Sequence, residues 1–334
     1  MSADEKKDSA TTSEIHPQDE RQDMSAELAM GGQAVIEGVM MRSPFRIAIA
    51  VRNPSGALVV QTRPHTPYSR RSKFLGWPIV RGAVTMLEAL VIGIGALNWS
   101  AEQALPSEKK KTEGWKKSLA TSLTVTVSLA LALALFMLVP YWFARAVGGA
   151  QSNQLSFHLL AGALRIVLLI VYLIVISFWK DVRRIFQYHG SEHKSIFAYE
   201  KRMGLEVPFA MEQTRFHPRC GTSFLLIVAL SAIIFFAVID TLIVAFFGQY
   251  PSAFARFLVH LPLIPLVAGL SYEVLKYSGK HTEQPLVKAL IAPGLWLQRI
   301  TTREPEPEMC EVALTALRAA LSHQELEKEE AIAR

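Results

Sequence analysis

Cysteine is almost missing from this chain: Cys220 and Cys310 are the only two in 334 residues. Both fall in segments that charge patterning assigns to the cytosol, which excludes a disulfide framework as a source of stability. Residues 1–28 have no apolar run of the secretory-leader kind. They are polar and charged throughout, so a disordered tail is expected there. Neither a tandem repeat nor a Gly-x-x-x-x-Gly-Lys phosphate loop occurs. Charge is also scarce within several long apolar stretches, and that scarcity decides the class.

The hydrophobic residues, 51% of the total, concentrate in the middle. Four windows, 119–143, 157–179, 222–247 and 254–277, each supply the roughly 20 apolar residues needed to cross a hydrocarbon core about 30 Å thick. The pattern predicts a mainly α, polytopic helical membrane protein with four spanning helices. Lysine and arginine set its orientation. Lys109, Lys110, Lys111, Lys116 and Lys117 precede the first window, and eight basic residues from Lys180 to Arg219 lie between the second and third. Lys280, Lys288, Arg299 and Arg303 follow the fourth. The two remaining loops have only Arg145 and Arg256 nearby, so both termini and the 180–221 loop are expected in the cytosol of a bacterial inner membrane. An anionic inner leaflet accounts for the net charge of +6, and no nucleic acid is needed as a partner.

Two β-rich runs, 46–52 and 57–63, flank the turn sequence Asn53-Pro-Ser-Gly56 and predict a hairpin. Ahead of them, the glycine-flanked segment 31–44 suits close packing against other backbone. The stretch 77–105 is apolar but interrupted by Arg81 and Glu88, with basic flanks on both sides. An interfacial or re-entrant helix is therefore expected, in preference to a fifth span. The expected organisation is a tail at 1–28, a β-hairpin region at 29–76, that helix at 77–105 and a basic linker at 106–118. A membrane domain at 119–290 follows, then a cytosolic part at 291–334. The last part holds an interfacial segment anchored by Trp296 and an amphipathic helix from Glu308 onward, where apolar residues recur at helical spacing.

Two clusters can carry chemistry. In His189-Gly-Ser-Glu192-His193 the histidines sit four apart and share a helix face, so both can offer ring nitrogens to one cation. Glu192 lies on nearly the same face and can act as a proton acceptor. The second cluster, His217-Pro-Arg-Cys220, is a His-x-x-Cys pair with borderline and soft donors suited to zinc. Four ligands (His189, His193, His217 and Cys220) would close a structural site. Three would leave a position open for hydrolysis, and the sequence does not choose between them. The blander readings are interfacial histidines with surface ion pairs, and a small buried cysteine at a helix entry. Glu273, about a turn from the cytosolic end of the fourth window, can approach the His189 loop or pair with Lys276 or Arg184. Asp240 and His260, nearer the opposite face, are read as structural.

Several segments together resemble one family: Gly31-Gly-Gln-Ala-Val-Ile-Glu-Gly-Val-Met-Met-Arg42, Tyr188-His-Gly-Ser-Glu-His-Lys194, Arg215-Phe-His-Pro-Arg-Cys-Gly-Thr-Ser-Phe224, Leu270-Ser-Tyr-Glu273 and the Pro293–Pro305 stretch. The chain is similar, over about residues 29–320, to the YqhQ-like family of bacterial and plastid membrane proteins of unknown function. Members are sometimes labelled predicted metal-dependent enzymes. By that resemblance His189, Glu192, His193, His217 and Cys220 match motif positions able to support the label. Glu37 and Glu273 also match motif positions, with no role attached. Two functions stay in view: a metal-dependent hydrolase with a cytosolic-face zinc or similar divalent site, and a non-catalytic assembly factor, scaffold or small-solute transporter. The lipid bilayer is the expected partner in either case, with membrane proteins or a second copy as further candidates.

Overall fold

A computed structural model of the chain describes residues 30–105, 114–148, 154–281 and 284–321. The expected tail at 1–28, most of the linker at 106–118 and the chain beyond residue 321 lie outside the described residues.

The first part is an antiparallel sheet of four strands in sequence order: β1 (Gly31–Val35), β2 (Gly38–Arg42), β3 (Arg46–Arg52) and β4 (Leu58–Pro64). The expected hairpin is its second half, with Arg52 paired to Leu58 across the Asn53–Gly56 turn. The glycine-flanked segment ahead of it forms a second hairpin, which the sequence reading did not foresee. Strand alternation gives the sheet two different faces. Val39, Met41, Ala48 and Ala50 point to one side, while Met40, Ile47, Ile49 and Val51 point to the other. The small alanines lie on the side where a helix packs closest.

That helix is α11 (Pro307–Ala320), which follows α10 (Pro285–Thr301) at the end of the described chain. It is more buried than the amphipathic surface helix expected from Glu308 onward. Met309, Cys310, Val312, Ala313, Leu314, Leu317 and Ala320 all enter the core between the sheet and α5 (Lys180–Glu200). The segment 180–221, read as a loop, is thus mostly ordered helix: α5 is followed by the short α6 (Val207–Met211). Its other corner is Glu37, which turns β1 into β2 with φ at 52°. Non-glycine residues seldom adopt that conformation. Arg184 of α5 grips the Glu37 carboxylate through two bonds of 2.6 and 2.5 Å, and the buried Tyr188 donates its hydroxyl to it at 3.4 Å.

The opposite face of the sheet is covered by α1 (Val80–Ala104), through Ile92 and Ala96. The remaining helices are α2 (Gly114–Leu133), α3 (Val139–Gly148), α4 (Gln154–Ile176), α7 (Gly221–Phe247), α8 (Ala253–His260) and α9 (Ile264–Lys280). A π-helical stretch, Ala134–Leu138, joins α2 to α3. It loosens the regular backbone ladder, and Arg165 of α4 donates to the Phe136 carbonyl there at 3.1 Å. Among the described residues, five helical stretches are long and apolar enough to cross a membrane, by length and composition: Val80–Ala104, Ser122–Val147, Leu159–Ile176, Leu226–Phe247 and Phe254–Ser278. Four correspond to the predicted windows, and the fifth is the segment at 77–105. The expected interfacial piece around Trp296 is the second half of α10, a helix running through Pro293 and packed on α7.

Glu273 settles on a partner that was not expected. It pairs with Arg81 of α1, at 2.7 and 2.5 Å, with Lys276 the weaker electrostatic neighbour. The reason is a close helix crossing. A Cβ on Gly82 would meet Gly269 and Tyr272, and one on Gly269 would run into the Ile79 carbonyl. The two backbones are close enough for the arginine to reach one turn down α9.

Candidate metal centre

On α5 the spacing of His189, Glu192 and His193 places all three on the face turned toward β1 and the 214–220 segment. Gly190, between them, packs directly on the chain after α10: a Cβ there would run into the Arg303 carbonyl. The Arg303 N–H in turn donates to the Phe186 carbonyl at 2.8 Å. Cys220 immediately precedes α7. The loop leading to it is fixed by Gln298 of α10, whose buried amide bonds both the N–H and the C=O of His217 at 2.8 Å.

The two sequence clusters meet. One ligand atom each from His189, His193 and Cys220 lies within 4.8 Å of the others. The imidazoles are oriented by their far nitrogens. His189 Nδ1 is 2.8 Å from the Thr301 carbonyl, and His193 Nδ1 is 2.5 Å from the Arg215 carbonyl. A carbonyl oxygen only accepts, so each Nδ1 carries the hydrogen and a neutral ring presents its Nε2 lone pair inward. This is the support that metal-ligating histidines usually have. His189 Nε2 stands 3.2 Å from Cys220 Sγ. His193 Nε2 is buried beside the Cys220 thiol and makes no well-formed hydrogen bond among the described residues. A buried polar nitrogen without a well-formed bond costs roughly 1–3 kcal/mol, and a bound cation would remove that cost. The donor set of two imidazoles and a thiol therefore fits a borderline divalent ion such as zinc.

Glu192 is buried beside the cluster, with Oε2 3.9 Å from His189 Nε2. Burial pushes its carboxyl above the usual range, against the opposing pull of His189, His217 and the Gly32 N–H. Burial, with His189 alongside, holds the His193 imidazole below its ordinary value. Gly32 of β1 has a steric role as well, because a Cβ there would sit 2.7 Å from the Glu192 side chain. Gly32→Ala is expected to displace the carboxylate and lower stability by about 1–3 kcal/mol, while leaving all three ligand atoms in place. Thermal unfolding combined with metal analysis would check both halves.

His217, the fourth expected ligand, is not brought into the trio. Its Nε2 faces Glu200 at 3.4 Å, and its Nδ1 accepts from the Arg219 N–H at 3.3 Å. Burial works to raise the Glu200 carboxyl, but His217 and Arg219 outweigh it and hold it below the usual range. His217 thus joins an ion-pair cluster beside the trio, its ring 5.6 Å from that of His193. The sequence reading had missed Thr301, Arg215 and Gly32 in these supporting places, because a backbone carbonyl or a missing side chain leaves no chemical signature in the letters. Asp240 and His260 lie elsewhere, paired at 2.7 Å.

The profile of a family described as "Protein of unknown function (DUF1385)" matches residues 77–323. The chain is 31% identical over 304 residues to the "Uncharacterized protein YqhQ" of Bacillus subtilis (strain 168), covering 88% of this chain and 92% of that protein. No solved structure matches.

Proposed function

Because this chain belongs to the DUF1385 family, we propose, from its own geometry, that it is an integral inner-membrane protein holding one divalent metal, zinc by donor type, for hydrolysis at the cytosolic face. The observation that carries the proposal is the pair of carbonyl-anchored histidines aimed at Cys220, with one ligand atom of each of the three within 4.8 Å of the others. Three protein ligands rather than four is the arrangement of catalytic zinc sites, which keep one position open. Bound there, the ion supplies Lewis acidity.

The rest is done by the chain. Thr301 and Arg215 hold the imidazoles in register through their carbonyls. Glu192 accepts and returns a proton at Oε2, the oxygen nearer His189. Its place 3.9 Å from His189 Nε2, on the helix face that carries both imidazoles, puts it within reach of a group bound at the site. Enclosure by α5, β1 and the 214–220 segment limits bulk water. The side of His189, the most exposed of the three ligands, is the approach left for a substrate. Its place beside apolar helices favours a membrane-associated peptide or lipid. The cytosolic placement rests on the lysine and arginine asymmetry of the connecting segments.

Elemental analysis of the purified full chain tests the reading. About one zinc per chain is expected, retained in Glu192→Gln, whose failure to complement a deletion strain would mark the carboxylate as functional. Protein purified without stoichiometric metal would defeat the metal assignment. Full complementation by Glu192→Gln would defeat the hydrolytic one and leave an assembly or scaffold role.

A further inference from the structure

Helix α1 wears its polarity inside out. Its inner face presents Glu88, Gly93 and Ser100 to the sheet: Glu88 accepts from the Tyr68 N–H at 3.0 Å and faces Arg42 at 3.8 Å. Ser100 accepts from the Ile36 N–H at 3.1 Å, and Gly93 packs on the Gln33 side chain. Its outer face carries Leu87, Leu90, Val91 and Ile94, all exposed, with Val91 at 68%. This spacing makes one continuous apolar stripe. A helix packed on a soluble sheet would put the polar residues outward, so the medium facing this stripe is lipid.

A full crossing conflicts with the sheet. Residues 88–100 are bound along it, and the sheet ends in β4, whose Gln61, Thr62 and Arg63 are exposed and whose outer edge pairs with no strand among the described residues. Open edges are not tolerated in hydrocarbon. What remains of α1, about eight residues before Glu88, rises only about 12 Å against the roughly 30 Å to be crossed.

The segment leading into α1 supplies the rest. Phe74 and Trp77 are each 59% exposed, with rings 5.4 Å apart edge to face. Aromatic side chains in that position are typical of the membrane–water boundary. Arg70, Arg71 and Lys73 are exposed beside them, the Arg71 guanidinium lying over the Tyr68 ring at 4.3 Å.

We infer that residues 68–94 form a foot on the bilayer surface. In it α1 lies along the leaflet on the sheet's side with its apolar stripe among the acyl chains, and Arg70, Arg71 and Lys73 bind the headgroups of anionic lipids. The foot is continuous with the membrane helices through the Gly82–Gly269 crossing and the Arg81–Glu273 pair, and it stands independently of the metal reading. It fixes the height of the sheet above the bilayer, and with it that of α5, which packs on β1.

Spin labels on Leu87→Cys, Val91→Cys and Ile94→Cys, in the full chain reconstituted into vesicles, test it. The native thiols are buried, so unsubstituted protein serves as the unlabelled control. A surface helix gives three nearly equal depths at the headgroup boundary. A span gives depths graded by about 10 Å from Leu87 to Ile94, and that result would overturn the inference. The labelled foot with Arg71 and Lys73 intact should sit deeper in vesicles containing phosphatidylglycerol than in phosphatidylcholine alone, and Arg71→Glu with Lys73→Glu in the same labelled chains should abolish the difference. Equal depth in both lipids would refute the headgroup assignment. The two-lipid comparison on the labelled chains that keep Arg71 and Lys73 decides this even if the doubly reversed variant does not fold.

Discussion

Replacing Asp240 with alanine is expected to destabilise the membrane domain by about 3–5 kcal/mol, the range for removing one partner of a buried ion pair. Asp240 is fully buried on α7. One carboxylate oxygen accepts from the Tyr250 hydroxyl and from His260 Nε2, each at 2.7 Å. The other accepts from Arg256 Nε at 2.7 Å. Without the carboxylate, a mostly buried guanidinium loses its ion pair in apolar surroundings and keeps the faces of Phe157 and Tyr250 against it. Truncating Arg256 to methionine as well should recover part of the loss, because the cost lies in the stranded charge more than in the missing attraction. Thermal scans in detergent can follow the exposure of the two buried thiols, Cys220 and Cys310. A fall of about 10 °C in midpoint is the size expected for a domain of this length. An unchanged midpoint would show that the cluster is solvated and carries no structural load.

The second large effect concerns the metal. Cys220→Ala and His193→Ala each delete one donor of the proposed site. Structural zinc binding is worth roughly 10–16 kcal/mol over four ligands, so one ligand accounts for about 3 kcal/mol, a loss of more than a hundredfold in affinity. Cobalt substitution gives a readout that does not depend on any substrate. Sulfur-to-metal charge transfer in the near ultraviolet should appear with the wild-type chain and vanish with Cys220→Ala. His217→Ala should leave it intact, because both ring nitrogens of His217 are engaged outside the trio. If His217→Ala abolished the band and His193→Ala did not, the ligand set proposed from the geometry would be wrong.

Hydropathy alone located the four long windows, because nothing but length and apolar content decides whether a helix suits a bilayer. The 46–63 hairpin was equally visible, its turn residues standing between two alternating runs. The first hairpin was hidden because β1 begins Gly31-Gly32, residues poor in strand propensity. The reason for Gly32 is the approach of Glu192, a contact made across the fold. The partner of Glu273 was hidden for a similar reason: local spacing pointed to Lys276, whereas a close glycine crossing delivered Arg81. At the candidate site the donors themselves were legible as histidine and cysteine at telling spacings. Their selection was not. Only folding shows that the His217 ring turns to Glu200 while the Cys220 sulfur turns to His189.

The carbonyls that orient the two imidazoles come from Arg215 and Thr301, on either side of α7, α8 and α9. A nascent chain that has produced only α5 therefore has histidines with nothing to hold their rings. Thr301 leaves the ribosome after every apolar stretch in the described chain has been synthesised. An ion captured at this site would report that the last of those apolar stretches had been made and that the chain after it had folded back onto α5, so occupancy would time the assembly of the fold.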